Sequence, residues 1–489
     1  MKEEVIDNML RNRIFYVKRS ELIGRIDAPV YKQAFKYNSK LYPIVKLSEI
    51  AIINPTTSFA KIESGTDITF VPMEAVDDRT GTISAHHTKK VIDSKGYTRF
   101  LENDLLWAKI TPCMQNGKSA IVKTTINGYA CGSTEFFIIR PKENNILVDY
   151  LHFLLRDKRV LATAQNYFGG SAGQQRVSKD FLVNFPIPLP PIKVQSLIVA
   201  KIRKAESQSS DCWNKAESLL ASIDTYLLEK LSVHTPKYKN DLSSRIFTVN
   251  FRTVTGGRLD PKLYEIATTR LKEAILKSKY STMRLRELIL HSMAGDWGID
   301  PIEGTEEGFQ DLYQKCLVIR ATEFANEGNL DFDNSRVKYR LILKEKVKKA
   351  DLQVGDLLIE KSGGSPDQPV GRIAIVTPEL MASQKLFFSN FIQKIRVDSK
   401  KISPTYLFYY LKAMHNIKLT DSMQSQTNGI RNLIMSNFLN QQIIVPSIAI
   451  QNEIVKEMDS LHRQVNTLRN KSQQVMFNMH DEITKMISG

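Results

Sequence analysis

Two halves of the 489-residue chain repeat one another, and this duplication constrains the fold more than any other feature. Arg13-Ile14-Phe15 recurs as Arg245-Ile246-Phe247, and RIDAPVY (Arg25 to Tyr31) returns as RLDPKLY (Arg258 to Tyr264). VKLSEI (Val45 to Ile50) parallels RLRELI (Arg284 to Ile289), and ENDLLWAK (Glu102 to Lys109) parallels QVGDLLIEK (Gln353 to Lys361). EFFIIRPKENNILVDYLHFLL (Glu135 to Leu155) aligns with FIQKIRVDSKKISPTYLFYYL (Phe391 to Leu411), so Arg140 falls on Arg396 and Tyr150 on Tyr406. IPLPPIKVQSLIVAKI (Ile187 to Ile202) reappears as IIVPSIAIQNEIVKEM (Ile443 to Met458), which sets Pro190 on Pro446 and Gln195 on Gln451. The offset drifts from 232 to 256, which means insertions in loops rather than a solenoid period of about 20 to 50 residues. The duplicated unit runs over about 13 to 232 and again over 245 to 489.

Each copy ends in a long helical pattern that opens at proline, the residue favoured in a helix's first turn. After Pro190-Pro191 the apolar or small residues fall at Ile198, Ile202, Ala205, Cys212, Ala216, Leu219, Ile223 and Tyr226. After Pro446 they fall at Ile454, Met458, Leu461, Val465, Leu468, Val475, Met479 and Met486. This is the alternating three-and-four spacing of a coiled-coil seam, with Ser209 and Ser472 as polar breaks. Some 40 residues at 1.5 Å rise make a rod of about 60 Å, and a one-sided seam of that length needs a partner. The other rod is the economical choice.

Residues 43 to 190 and 283 to 446 show short β-like runs punctuated by Gly, Pro, Asn and Asp. Each adds a helical stretch, Asp149 to Gln165 or Pro404 to Ile417. The predicted fold class is therefore α+β: two tandem α+β domains, each followed by a long helix, with the two helices packed as an antiparallel coiled coil. The expected divisions are 1–190, 191–232, 233–446 and 447–489.

Composition narrows the function. With 42% hydrophobic residues, intrinsic disorder is excluded as a description of the whole chain, and the length implies about two to four globular units with cores of their own. Its longest apolar runs, such as Ile443 to Val445 and Phe136 to Ile139, fall far short of the roughly 20 residues of a bilayer span. The start of the chain is acidic and mixed, unlike an export signal, so the expected location is the cytoplasm. Four scattered cysteines and the adjacent His86 and His87 offer no metal-ligand spacing, so no metal is expected. The net charge is +16, of which +7 lies in residues 1 to 190, +3 in 191 to 240 and +6 in 241 to 446, while the remainder is balanced. Two basic lobes point to two contacts with one polyanion.

Taken together, RIDAPVY, RLDPKLY, KITPCMQNGK (Lys109 to Lys118) and GGSAGQQRVSKDFL (Gly169 to Leu182) leading into IPLPPIKVQSLIV closely resemble the specificity subunit of type I restriction-modification systems. The likeness covers nearly the whole chain. KSGGSPDQPVGR (Lys361 to Arg372) and QTNGIRNLIMSNFL (Gln426 to Leu439) keep the frame but change the letters.

The resemblance implies two target-recognition domains reading the two halves of a bipartite double-stranded DNA sequence, with the paired rods as spacer. It implies partners too: two methyltransferase subunits that bind S-adenosylmethionine, and restriction subunits that use ATP and Mg for translocation and cleavage. No cofactor is then expected in this chain, and no catalysis. Lys and Arg would neutralise phosphates, while Gln, Asn, Arg and Ser on loops would read base edges. The Gly-flanked loops nominate Lys109, Thr111, Gln115, Asn116 and Lys118, then Ser171, Gln174, Gln175 and Arg176. In the second copy they nominate Lys361, Ser362, Gln368 and Arg372, then Gln426, Asn428 and Arg431.

Four other readings compete. GGSAGQ lacks the GK[ST] ending of a phosphate-binding loop, which argues against an ATP site. Asp356, Glu360 and Lys361 superficially resemble a metal-dependent nuclease, but Glu360 and Lys361 are adjacent and point to opposite faces of a strand. Asp104 and Asp356 fit better as turn residues ahead of a buried Leu-Leu strand. A coiled-coil or RNA-binding adaptor, or a specificity factor of another methylation-linked phage-defence complex, would keep the same architecture.

Overall fold

A computed structural model describes residues 16–17, 19, 31, 35–85, 87–142, 145–170, 174–234, 246–251, 264–301, 309–325, 328–332, 338–364, 369–427 and 430–489. Most of the repeated segments that open each copy lie outside the described residues. The chain divides into two compact units, residues 1–211 with 471–489, and residues 212–470. Each long helix, Ile192–Lys230 and Ile448–Ser488, contributes one portion to each unit.

In the first unit an antiparallel sheet runs in the order Ala51–Ile53, Phe136–Pro141, Leu105–Ala108, Ser119–Ile121. A second sheet runs His87–Lys90, Asp67–Val71, Tyr129–Gly132, Thr98–Leu101, with its two central strands parallel. The strand Leu105–Ala108 reads LLWA and is buried along its length, as a strand covered on both faces must be. The strand Ile44–Lys46 pairs with Pro186–Pro188, so the two ends of the lobe are stitched together where the chain enters the long helix.

The helical stretch expected over Asp149 to Gln165 is two helices, Val148–Leu155 and Lys158–Gln165. The break falls at Asp157, whose side chain accepts from the Arg159 amide at 2.8 Å and caps the second helix.

The second unit repeats this plan. Its main sheet runs Ile289–Ala294, Ile392–Val397, Leu357–Glu360, Ile373–Ile375. Its smaller sheet runs Tyr339–Leu343, Tyr313–Ile319, Leu386–Phe388, again with a parallel pair. Thr282–Arg284 pairs with Gln442–Ile444 as the stitch.

The same side chains lock the frame in both units. Asp104 accepts from the Leu101 amide at 2.8 Å and Asp356 from the Gln353 amide at 2.9 Å, so both are turn residues as the sequence indicated. The same carboxylates take bidentate bonds from Arg140 and Arg396. The Tyr150 hydroxyl donates to the Pro188 carbonyl, and that of Tyr406 to the Ile444 carbonyl.

At the head of each long helix sits a glutamine with no exposed surface. Gln195 accepts from the Leu147 amide and donates to the carbonyls of Asn145 and Pro190. Gln451 accepts from Ser403 and donates to Lys401 and Pro446. Each spends its amide on backbone groups that would otherwise be buried without partners.

The long helices run antiparallel along their seam. In the first unit Ile198, Ile202 and Ala205 enter one core with Met479, Ile483 and Ile487. In the second, Ala216, Ile223, Leu227 and Leu231 share a core with Ile454, Met458 and Val465. Full burial of the Ile, Leu, Met and Val side chains among them contributes about 1.5–3 kcal/mol each. The two polar breaks meet: the Ser209 and Ser472 hydroxyls are 2.7 Å apart. Among the described residues no helix is long and apolar enough to cross a membrane.

Candidate nucleic-acid interface

A lysine follows the buried Leu-Leu strand in each unit, and there the main sheet branches into a small hairpin. The Lys109 amide donates to the Glu135 carbonyl, and the Lys109 carbonyl accepts from the Val177 amide, both at 2.9 Å. The Lys361 amide donates to Phe391, and its carbonyl accepts from Leu433, at 2.9 and 2.8 Å. The hairpins are Phe168–Gly169 with Arg176–Val177, and Gln424–Thr427 with Ile430–Leu433. These bonds make Glu135 equivalent to Phe391 and Arg176 equivalent to Asn432.

In the first unit the structure brings most of the nominated residues to this branch. Lys109 lies with its ammonium 5.6 Å from the centre of the Phe137 ring. The Thr111 amide donates to the Gln175 carbonyl at 2.9 Å, tying the 109–118 loop to the hairpin. Gln115 and Asn116 are exposed at the turn that closes on Gly117, whose φ of +75° suits glycine. Gln115 donates to the Gln165 side chain at 3.4 Å, and the half-buried Lys118 donates to the Met73 carbonyl at 3.2 Å. Gln174 and Arg176 are exposed and Gln175 is half-buried. Ser171 lies outside the described residues.

Arg176 forms a two-pronged ion pair with Glu135, both bonds at 2.9 Å, and donates through its other terminal nitrogen to the Gln174 carbonyl at 3.1 Å. The bond from Arg176 holds the Glu135 carboxyl below the usual glutamate range against a smaller upward push from burial.

The second unit arranges its nominated residues differently. The Ser362 hydroxyl donates to the Asn432 side-chain oxygen at 2.5 Å, which joins Ser362–Gly364 to the hairpin. Burial lowers the Lys361 ammonium below the ordinary lysine value. Arg431 is half-buried on the hairpin strand opposite Gln426. Nothing is described of the Gln426 side chain, and Gln368 and Asn428 lie outside the described residues.

Arg372 faces inward. It pairs with Glu360 at 2.8 and 2.9 Å and donates to the carbonyls of Phe324 and Ala321 at 2.6 and 2.8 Å. Its side chain is 12% exposed, so it pins a loop to the sheet.

The carboxylates of the nuclease-like constellation are engaged inside the lobes. Asp104 bonds Arg140, Asp356 bonds Arg396 with the Lys394 ammonium 3.1 Å away, and Glu360 bonds Arg372. Each carboxylate is 1% exposed and satisfied by an internal cation. Among the described residues no group of His, Cys, Asp or Glu is placed to hold a metal ion.

Sequence reasoning missed Glu135, Phe391, Ile430 and Asn432. Phe391 and Ile430 are exposed by 48% and 51% at the branch of the second unit. The alignment of EFFII with FIQKI already set Glu135 on Phe391 and was the available signal.

The fold defines a class: a tandem α+β protein whose repeated lobes carry variable hairpins on a fixed frame. Comparison with known proteins gives the family. The family model described as "Type I restriction modification DNA specificity domain" matches twice, over residues 40–211 and 310–476. The chain belongs to that family.

It is 24% identical over 500 residues to the type I restriction enzyme EcoEI specificity subunit of Escherichia coli, covering 90% of this chain and 81% of that one. It is 34% identical over 181 residues to the EcoAI specificity subunit of the same organism, covering 37% of this chain and 30% of that one. A solved chain from a study of complex assembly and conformational transition of the type I R-M system superposes with a TM-score of 0.50 at 16% identity. The match covers 93% of this chain and 98% of that one, and it supports the same fold.

Proposed function

We propose that the chain is the DNA-reading subunit of a type I restriction-modification complex. Each lobe reads one half of a bipartite duplex target, and the chain carries methyltransferase subunits and, through them, restriction subunits. The carrying observation is the repeated branch point: one backbone frame, a lysine at the same place in both copies, and different exposed side chains around it. A shared cation suits the phosphate backbone, which is the same in every sequence, whereas varied side chains suit base edges.

The chemistry falls to the partners. S-adenosylmethionine would bind the methyltransferase subunits, and ATP and Mg the restriction subunits, in the cytoplasm where such a complex meets DNA. The neutralised carboxylates of both lobes support a non-catalytic role for this chain.

Selection from a pool of random duplexes with the full chain tests the reading. The expected result is enrichment of two short blocks at a fixed gap. Uniform binding, or preference for single-stranded RNA, overturns it.

A further inference from the structure

The two branch points share a lysine and differ around it, and the difference has a chemical sense. At equivalent backbone positions the first lobe carries Glu135, Gln174 and Arg176, and the second carries Phe391, Ile430 and Asn432. If these positions met phosphate, a cation would serve in both lobes. Instead one set is charged and the other is apolar around a single amide.

We infer that Arg176 reads a guanine in the half-site of the first lobe, and that Asn432, flanked by Phe391 and Ile430, reads an adenine·thymine pair in the half-site of the second. The inference rests on the proposed DNA-reading role and adds the base chemistry to it.

The donor inventory supports the first part. A guanidinium has five N–H groups. Arg176 commits two to Glu135 and one to the Gln174 carbonyl, which leaves one on each terminal nitrogen unassigned among the described residues. One donor on each terminal nitrogen is the number needed for the O6 and N7 acceptors of guanine in the major groove. Glu135 acts as a positioning residue: its carboxylate fixes the plane of the guanidinium, while the arginine side chain stays 43% exposed. Such preorganisation lowers the ordering cost of a long side chain on binding.

In the second lobe the Ser362 hydroxyl takes one lone pair of the Asn432 oxygen and so orients the amide. Among the described residues, a second lone pair and the NH2 group are left for the N6 and N7 edge of adenine. The aromatic and branched side chains of Phe391 and Ile430, about half exposed, supply the apolar surface that a thymine methyl group prefers.

The test is selection of bound sequences from a random duplex pool by the full chain and its variants. Arg176→Gln is expected to change one guanine of one block to adenine and to weaken binding of the original duplex about 10- to 100-fold. The other block keeps its letters, and the unchanged letters of the mutated lobe's own block report that this lobe is folded. Asn432→Ala is expected to relax one A·T position in the opposite block. Glu135→Gln is expected to weaken the guanine preference without replacing the letter, as a positioning role requires.

If the wild-type chain enriches no block, the DNA-reading role itself falls. If it enriches two blocks but Arg176→Gln leaves the letters unchanged, or weakens all sequences alike, Arg176 is at most a phosphate contact and this inference is overturned.

Discussion

The two lobes use one frame but stabilise it differently at its most buried charge. In the first, Asp104 has Arg140 as its cation, and the neighbouring strand position that faces Leu106 is Ile138. In the second, the position facing Leu358 is Lys394, so Asp356 holds Arg396 and a fully buried ammonium together. Burial lowers the Lys394 ammonium from the ordinary lysine value, and the bond to Asp356 opposes that shift. A buried carboxylate held by one partly exposed cation is vulnerable to loss of that cation, while a triad has a spare one. Duplication therefore preserved the geometry of this site while letting its redundancy change.

That contrast sets the largest expected effect. Arg140→Ala leaves Asp104 buried without a charge partner and should destabilise the first unit by about 3–5 kcal/mol. Arg396→Ala leaves Asp356 its lysine and should cost clearly less. Hydrogen exchange along Phe136–Pro141 and Ile392–Val397 reads the two separately. Adding Lys394→Ile to Arg396→Ala should restore the full penalty. Equal costs for the two single variants would mean that the lysine contributes no protection.

Where the frame is identical, the lobes should respond alike. Gln195→Ala and Gln451→Ala each remove one acceptor and two donor bonds at a helix entrance. Orphaned buried backbone groups cost about 1–3 kcal/mol each, and partial entry of water reduces the sum, so about 2–4 kcal/mol is expected for both. Urea unfolding of the two variants should shift by similar amounts. A shift in only one would show that the two helix entrances are unequal supports.

The frame was legible in the sequence because it is written in repeated letters: Arg140 on Arg396, Tyr150 on Tyr406 and Gln195 on Gln451 all occupy equivalent places. The seam was legible by its spacing, although Leu227, Leu231, Ile483 and Ile487 are buried beyond the expected positions. The last turns pack into the lobes, and helical spacing alone cannot see a second neighbour. The interface was less legible. Arg372 and Arg176 look alike in a Gly-flanked loop, yet Arg372 is folded against Glu360 and two carbonyls with 12% of its side chain exposed, while Arg176 keeps 43% exposed. Phe391 and Ile430 escaped notice because apolar residues in β runs are ordinarily core, whereas Phe391 directly precedes its strand and Ile430 is the first residue of its own, and both are exposed.

Acid should separate the lobes by a smaller margin. Burial, aided by the Arg156 charge, pulls His152 down to about 3, and burial with Arg372 nearby pulls His415 down to about 4. An unfolded histidine takes its proton near pH 6.5. Below that value the unfolded state binds more protons than the folded one, so stability falls as pH falls. The fall continues to about pH 3 for the first unit and stops near pH 4 for the second, at no more than about 1.4 kcal/mol per pH unit for each histidine. His152→Gln should flatten the first profile between pH 6.5 and 3 and leave the second unchanged. A profile that keeps its slope would assign the acid sensitivity to other groups.

The smallest effect concerns the helix seam. In the first unit the seam includes a serine pair: Ser209 and Ser472 bond through their hydroxyls, and the Ser472 hydroxyl also lies 3.0 Å from the Ser209 carbonyl. In the second unit Ala216, Ile223 and Leu227 pack with Ile454, Met458 and Val465. A buried polar pair gives up some stability but favours the register in which both hydroxyls find partners, while apolar contacts tolerate a slip. Ser472→Ala should cost about 1 kcal/mol by leaving Ser209 to rebond within its own helix. Replacing both serines with alanine should cost little more, because the second change removes a hydroxyl whose partner is already gone. A double-mutant cycle is therefore expected to give a coupling of about 0.5–1.5 kcal/mol, the size of a neutral hydrogen bond. Additive single effects would mean that the hydroxyls meet without holding the register, and that apolar packing alone sets the alignment of the two helices in this unit.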